Sequence, residues 1–367
     1  QAVDDSQTVD TRNPSTEGAP KVSDVLITDA DANGDGGPST LSVSFTFSEA
    51  MDTSIAPTVT FDPAVASTLT GQSGAWLSNG KTYKVQATID DQGIDANEVT
   101  IDITGAKDVA GNLQVDHTAV KGLEVDTKNP TASYASEVKN QNTNGAANVA
   151  SDADPVVAYT VTFSEPVAAI QASDIDVAGG ALVDGTLALS TDKTKATFEV
   201  RATDNSVADL VVKVKDTVKD LNGNKLVESS SAAVDVDTRN PGVTIEDNQS
   251  GKSFDGENTV AYKLTFTEGV QKIDATDLTV TGATVDSVVH TAGSNTATVN
   301  VTVTDDSIAN VSVTAKPSIV DLAGNPMVQA VDDSQTVDTR NPSTEGAPKV
   351  SDVLITDADA NGDGGPS

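Results

Sequence analysis

The chain has 367 residues, with 22 Lys and Arg against 55 Asp and Glu, and a formal net charge of −33 at pH 7. That balance excludes a nucleic-acid partner, because a polyphosphate needs cationic neutralisation. It suits a solvated extracellular protein or one that collects divalent cations. The absence of cysteine removes the disulfide scaffolds of small secreted domains and all thiol chemistry.

No stretch approaches 18 consecutive apolar residues, so no direct membrane insertion by a helix is expected. The sequence begins at Gln1 without Met or a signal peptide, and reads as an internal piece of a longer chain. Aromatic residues make up 3%, and Val, Thr, Ala, Asp and Ser dominate, a β-rich composition with small side chains.

In chain order, residues 1–13 read as the last strand of a preceding domain. Leu41, Val43, Phe45 and Phe47 then alternate with Ser and Thr, followed by Tyr83, Val85, Ala87 and Ile89, and by Val99, Ile101 and Ile103. The pattern restarts at Val157, Tyr159, Val161 and Phe163, continues through Phe198, Val200 and Ala202, and ends with Leu210, Val212 and Val214. A third round runs through Val260, Tyr262, Leu264 and Phe266, then Val299, Val301 and Val303, then Val311 and Val313. Period-2 alternation buries one face and wets the other, as in antiparallel sandwiches, and no comparable helical period competes with it.

Repeats organise these strands. Residues 1–39 are identical to residues 329–367, an offset of 328. Within that period, Val-Asp-Thr-Lys/Arg-Asn-Pro recurs at Val9–Pro14, Val125–Pro130, Val236–Pro241 and Val337–Pro342, at intervals of 116, 111 and 101. Phe47-Ser-Glu49, Phe163-Ser-Glu165 and Phe266-Thr-Glu268 keep step, as do Asp108-Val-Ala-Gly-Asn112, Asp220-Leu-Asn-Gly-Asn224 and Asp321-Leu-Ala-Gly-Asn325. The expected fold class is all-β, with tandem immunoglobulin-like antiparallel β-sandwich domains arranged as an extended rod. The domains are assigned to 14–127, 128–238 and 239–341. Residues 342–367 are the start of the next superrepeat.

The segments Ile245–Gly251, Val260–Glu268, Asp274–Val280, Asp321–Asn325 and Val337–Pro342 resemble the bacterial Ig-like repeat domains of giant surface adhesins and biofilm-associated proteins. The middle domain shares the likeness through Tyr159–Val167, Ala172–Val177 and Asp220–Asn224. The first departs most, with an insert at Thr53–Gly80 and its own Asp29–Pro38 loop. The resemblance implies a secreted, cell-surface location, sandwiches joined end to end, and a stalk that holds an adhesive tip away from the cell. It also implies Ca2+ as a stiffening cofactor and neighbouring copies of the array as partners.

Several carboxylate groups are candidate ligands. Asp29, Asp31, Asn33 and Asp35 place oxygens at positions 1, 3, 5 and 7 with Gly34 at position 6, matching the first half of an EF-hand loop. Thr40 stands where that loop's bidentate Glu would be. The competing reading is a polar turn without metal. Asp357, Asp359, Asn361 and Asp363 are the identical copy. Asp126 and Asp237, in the linker motifs, and Glu49, Glu165 and Glu268, at strand ends, are candidates for a shared ion at the junctions. The competing reading there is a stiff linker with solvated charge. The Asp-x-x-Gly-Asn motifs read as tight turns.

No enzyme is expected. Only His117 and His290 are present, at unrelated positions, leaving serine-type chemistry almost no raw material. Trp76 is read as a packing residue. Its other reading is a glycan-stacking platform within the domain 1 insert, which would make this domain a binding module. Bundling of like chains into a matrix fibre is the remaining alternative to a solitary stalk.

Overall fold

The computed structural model describes residues 9–23, 25–33, 39–139, 148–248, 253–254 and 258–340. The chain divides into two compact units, with the boundary between Thr238 and Arg239. Three separate hydrophobic cores form, two in the first unit and one in the second.

Domain 1 contains β1 (Lys21–Val22), β2 (Leu26–Thr28), α1 (Asp29–Asn33), β3 (Thr40–Thr46), β4 (Thr58–Asp62), β5 (Leu69–Trp76), β6 (Thr82–Ile89), β7 (Asp95–Thr104) and β8 (Val120–Asp126). Two four-stranded sheets result, in the orders β1-β3-β6-β5 and β2-β8-β7-β4. The alternation read from the sequence becomes the core: Leu41, Val43, Phe45 and Phe47 of the β3 run face Val99, Ile101 and Ile103 of β7 across one cluster. Each such side chain, fully buried, contributes about 1.5–3 kcal/mol.

Domain 2 contains β9 (Ala132–Val138), β10 (Ala150–Ser151), β11 (Val156–Phe163), β12 (Ile175–Ala178), β13 (Gly180–Leu182), β14 (Ala188–Leu189), β15 (Lys195–Ala202), β16 (Val211–Val214), β17 (Ser229–Ser230) and β18 (Val236–Asp237). One sheet runs β13-β15-β11-β9 with β14 also on β15; the others are β12-β16-β17 and β10-β18.

Domain 3 contains β19 (Val243–Asp247), β20 (Ser253–Phe254), β21 (Thr259–Phe266), β22 (Leu278–Thr281), β23 (Thr284–Val289), β24 (Thr296–Thr302), β25 (Ile308–Ala315) and β26 (Val331–Asp338). Its sheets are β19-β21-β24-β23 and β20-β26-β25-β22. The molecule is all-β, built of tandem Ig-like sandwiches.

One feature is common to all three domains. A short early strand pairs in parallel with the last strand: β2 with β8, β10 with β18 and β20 with β26. Pulling the two ends of such a domain apart shears this pair along its length, so its hydrogen bonds are loaded together.

One local feature differs from the sequence reading, and the packing role read for Trp76 is found. The Asp29–Asn33 stretch closes one helical turn where its spacing predicts a metal loop or polar turn. At about 100° per residue, a helix turns Asp29 and Asp31 to roughly opposite sides, and Asp31 Oδ2 accepts bonds from the Thr28 amide and hydroxyl at 2.7 and 3.1 Å. Trp76 packs on the rings of Phe47 and Tyr83, with centroids 5.5 and 5.1 Å away, and its Nε1 donates to the Ile55 carbonyl at 2.8 Å. Asp35, Asp357, Asp359, Asn361 and Asp363 lie outside the described residues, as does most of residues 1–13 and all of 342–367.

Candidate metal centre at the domain joint

The linker motif serves both neighbours at once. Its Val is buried in the preceding core: Val125, Val236 and Val337 are 0–5% exposed. Its Thr clamps the same domain. Thr238 Oγ1 donates to the Thr203 carbonyl at 2.7 Å and accepts from the Ser206 amide at 3.0 Å. Thr339 repeats this on Thr304 and Ser307 at 3.0 Å each. Its Pro belongs to the following domain, where the carbonyls of Pro14 and Pro130 accept from the amides of Val115 and Val227 at 2.8 and 2.9 Å.

The Asp-x-x-Gly-Asn turn meets this linker. In domain 2 the buried Asp220 receives the amides of Asn222, Gly223 and Asn224 on Oδ1, at 2.8, 2.6 and 2.9 Å, and Asn224 Nδ2 on Oδ2 at 2.8 Å. Gly223, at φ +101°, takes the turn in the left-handed region that other residues avoid. Asn224, 1% exposed, also donates Nδ2 to the Asp126 carbonyl at 2.9 Å. Its Oδ1 accepts the Asp29 amide at 2.7 Å. Thus α1 of domain 1, the linker and the domain 2 turn are tied through one side chain. Domain 1 repeats the grip more loosely, with Asn112 Nδ2 on the Asp10 carbonyl at 3.1 Å and on Asp108 Oδ2 at 2.8 Å.

These contacts gather carboxylates. Asp126, Glu165 and Asp220 each place an oxygen within 4.8 Å of the others, and Asp10, Glu49 and Asp108 form the same arrangement. Asp126 and Asp220 are 4% and 2% exposed. Asp126 Oδ1 accepts the Lys128 amide at 3.1 Å, and Oδ2 accepts Asn222 Nδ2 at 2.7 Å. Glu165 Oε1 is sealed from solvent and has no hydrogen-bond partner in the protein. Burial raises the pKa of Glu165, and the facing charges of Asp126 and Asp220 raise it further. Burial likewise raises Asp126, with the Asn222 hydrogen bond opposing. At Asp108, burial is outweighed by the donors of Asn112, Gly111 and Ala110, which hold its carboxyl low.

An ion bound at about 2.4 Å spans ligand oxygens up to about 4.8 Å apart, so each trio is compact enough for one hard cation with oxygen ligands. Glu165 forms no ion pair among the described residues. Its counterpart Glu268 meets the guanidinium of Arg239, Nε to Oε1 at 3.4 Å. In the second unit Glu268 and Asp321 bring oxygens within 4.8 Å of each other. Asp237 ends β18 in the first unit. Neither Asp29 nor Asp31 belongs to such a trio among the described residues.

Asp108, Asp220 and Asp321 are the corners that the turn reading left out. They stand beside the junction acids only after the sandwich closes, and their recurrence in step with Glu49, Glu165 and Glu268 was the available signal. Both histidines serve structure: His117 Nδ1 lies 3.0 Å from Asp102 Oδ1, and His290 Nδ1 accepts the Ile273 amide at 3.2 Å.

Comparison with known proteins bears on the second unit first. Residues 237–339 match the model of a bacterial Ig-like domain. Domain 3 is a bacterial Ig-like domain. The linker, strand-end and turn motifs of this Ig-like domain recur in the other two, in the same order.

No curated protein matches the sequence significantly. Solved structures similar to the chain include a marsupial T cell receptor, 9% identical over 86% of this chain and 99% of that one, with a TM-score of 0.27. Domains 1–6 of the surface layer protein SbsC are 15% identical over 90% of this chain and 55% of that one, with a TM-score of 0.20. The N-terminal eight Ig domains of Down syndrome cell adhesion molecule are 11% identical over 88% and 37%, with a TM-score of 0.33. The chain therefore spans about half or less of the last two.

Proposed function

We propose that this chain is a spacer segment of a bacterial cell-surface repeat adhesin or surface fibre, secreted and non-enzymatic, whose joints are stiffened by Ca2+. Its partners are neighbouring copies of the same repeat, and it supports adhesion or biofilm formation indirectly, by carrying a binding tip.

The observation that carries this reading is the joint at Asp126, Glu165 and Asp220. Three carboxylates converge there with one oxygen sealed and unpaired, an arrangement that is costly alone and favourable around a divalent cation. The donor set is all oxygen, which selects Ca2+ over thiophilic metals. Asp126, Glu165 and Asp220 would hold the ion, which would join the linker to two parts of domain 2. Asn222 and Asn224 hold the acids in place. The parallel pairing of an early strand with the last one in each domain supports a load-bearing role. The glycan-stacking alternative finds little in Trp76, whose ring and N–H are both used in packing.

Calcium titration of the chelator-treated chain by isothermal calorimetry tests the metal part. Saturable binding that weakens at least tenfold in Glu165→Gln supports it. Binding that is absent, or indifferent to this substitution, refutes it.

A further inference from the structure

The three last strands place the same position in the core, two residues before the linker Val. Leu123 occupies it in β8, 1% exposed, and Val234 precedes β18, 8% exposed. In β26 the residue is Gln335, 6% exposed and opposite Val311 of β25. Neither polar atom of its side-chain amide has a hydrogen-bond partner in the protein. Among the described residues, no other buried side chain leaves two polar atoms unpaired. A buried amide in this state has lost its water without replacement. The rest of β26 compensates little. Only Gln335 and Val337 of its eight residues are buried.

The weakness also sits on the strand that bears load. β26 leads into the linker that follows, and it holds both the parallel partner β20 and the antiparallel partner β25. Tension applied at the C-terminal side of domain 3 therefore enters through the strand with the unpaid amide. Gln7 stands at the same place in the identical copy of this segment.

We propose that domain 3 is the release element of the array, the domain whose last strand opens first under load, and that Gln335 sets this order. The force-release role rests on the spacer reading; the ranking of domain stabilities does not. Restoring an apolar residue at the position removes the unpaired amide and fills the site as Leu123 and Val234 do.

Native-state hydrogen exchange of the intact chain, read by mass spectrometry, tests the ranking. Peptides from β25 and β26 are expected to exchange roughly tenfold or more faster than those from β7, β8 and β16. Gln335→Leu should slow exchange in domain 3 by roughly 10- to 100-fold and leave domain 1 unchanged. Gln335→Val serves as the second variant should leucine not pack. Equal protection of the three domains in the parent, or unchanged exchange in both variants, overturns the proposal. Single-molecule pulling then tests the role: the first rupture should move to higher force in Gln335→Leu. Unmoved rupture forces alongside the expected exchange would overturn the release role while leaving the stability ranking intact.

Discussion

Asn224 is the side chain on which the joint between domains 1 and 2 depends, so Asn224→Ala is the most informative single change. The amide accepts from the Asp29 amide and donates to the Asp126 carbonyl and the Asp220 carboxylate, at 2.7, 2.9 and 2.8 Å. All three partners are buried residues, so alanine removes three buried hydrogen bonds. Each unmade bond costs about 1–3 kcal/mol when its partner stays dry. Water entering the truncated site recovers part of this, which gives an expected loss of about 2–4 kcal/mol. Urea unfolding of the whole chain followed by circular dichroism measures it. The same change at Asn112, which is partly exposed and has no counterpart to the Asp29 contact among the described residues, should cost about half as much, roughly 1–2 kcal/mol. A loss below about 0.5 kcal/mol at Asn224, within the range of ordinary surface substitutions, would refute the joint described here.

Thr238→Val keeps shape but deletes a donor and an acceptor, those facing Thr203 and Ser206; domain 2 should lose about 2–3 kcal/mol, read as a lower melting temperature. Gly179→Ala should be worse, because its φ is +77° and an added Cβ would lie 2.2 Å from the Asp209 carbonyl oxygen; a folded domain 2 with parental stability would contradict the register of β12 and β13. Trp76 is the only tryptophan and packs in domain 1, so fluorescence should report domain 1 unfolding alone while circular dichroism reports all domains. The two transitions should separate when Thr238→Val weakens domain 2.

The acids at the joint also set a pH dependence. Glu165 and Asp126 have raised pKa values in the folded protein, so the folded state holds their protons more tightly than the unfolded chain. Their contribution to stability is therefore present at low pH and lost as pH rises through the raised values. In chelator, the melting temperature should climb as pH falls from 7 toward 5, and Glu165→Gln should flatten the climb. In saturating Ca2+ the trend should shrink or reverse, since protons then compete with the ion. A climb that is equal in parent and Glu165→Gln would assign it to relief of the overall negative charge instead.

The strands were legible because each keeps strict alternation over four positions. Leu41 to Phe47, Val157 to Phe163 and Val260 to Phe266 all sit in the three cores. The linker motif was legible as a junction because a residue needed by two domains recurs once per domain. The trio at the joint was legible only in part. Asp126 and Glu165 stand on the linker and a strand end, but Asp220 reads locally as a turn former, and it is one, with three loop amides on its Oδ1. That a carboxylate can close its own turn and face two other acids follows from tertiary packing, which brings together residues almost a whole domain apart. The helical turn at Asp29 was hidden for a similar reason: the residues that favour a metal loop also begin a helix well, and the Asn224 contact that anchors it comes from another domain.

Acids that hold Ca2+ at the joints would stiffen the array. Small-angle scattering of the intact chain, first in chelator and then in millimolar Ca2+, tests it most directly. With each sandwich about 33 Å long, from strands of about ten residues at 3.3 Å, the maximum dimension should grow in Ca2+ toward roughly 100 Å for the three domains, and Glu165→Gln should lose the first joint's share of that growth. An identical profile in chelator and Ca2+ would contradict it, and would leave the joints to the proline, threonine and asparagine contacts alone.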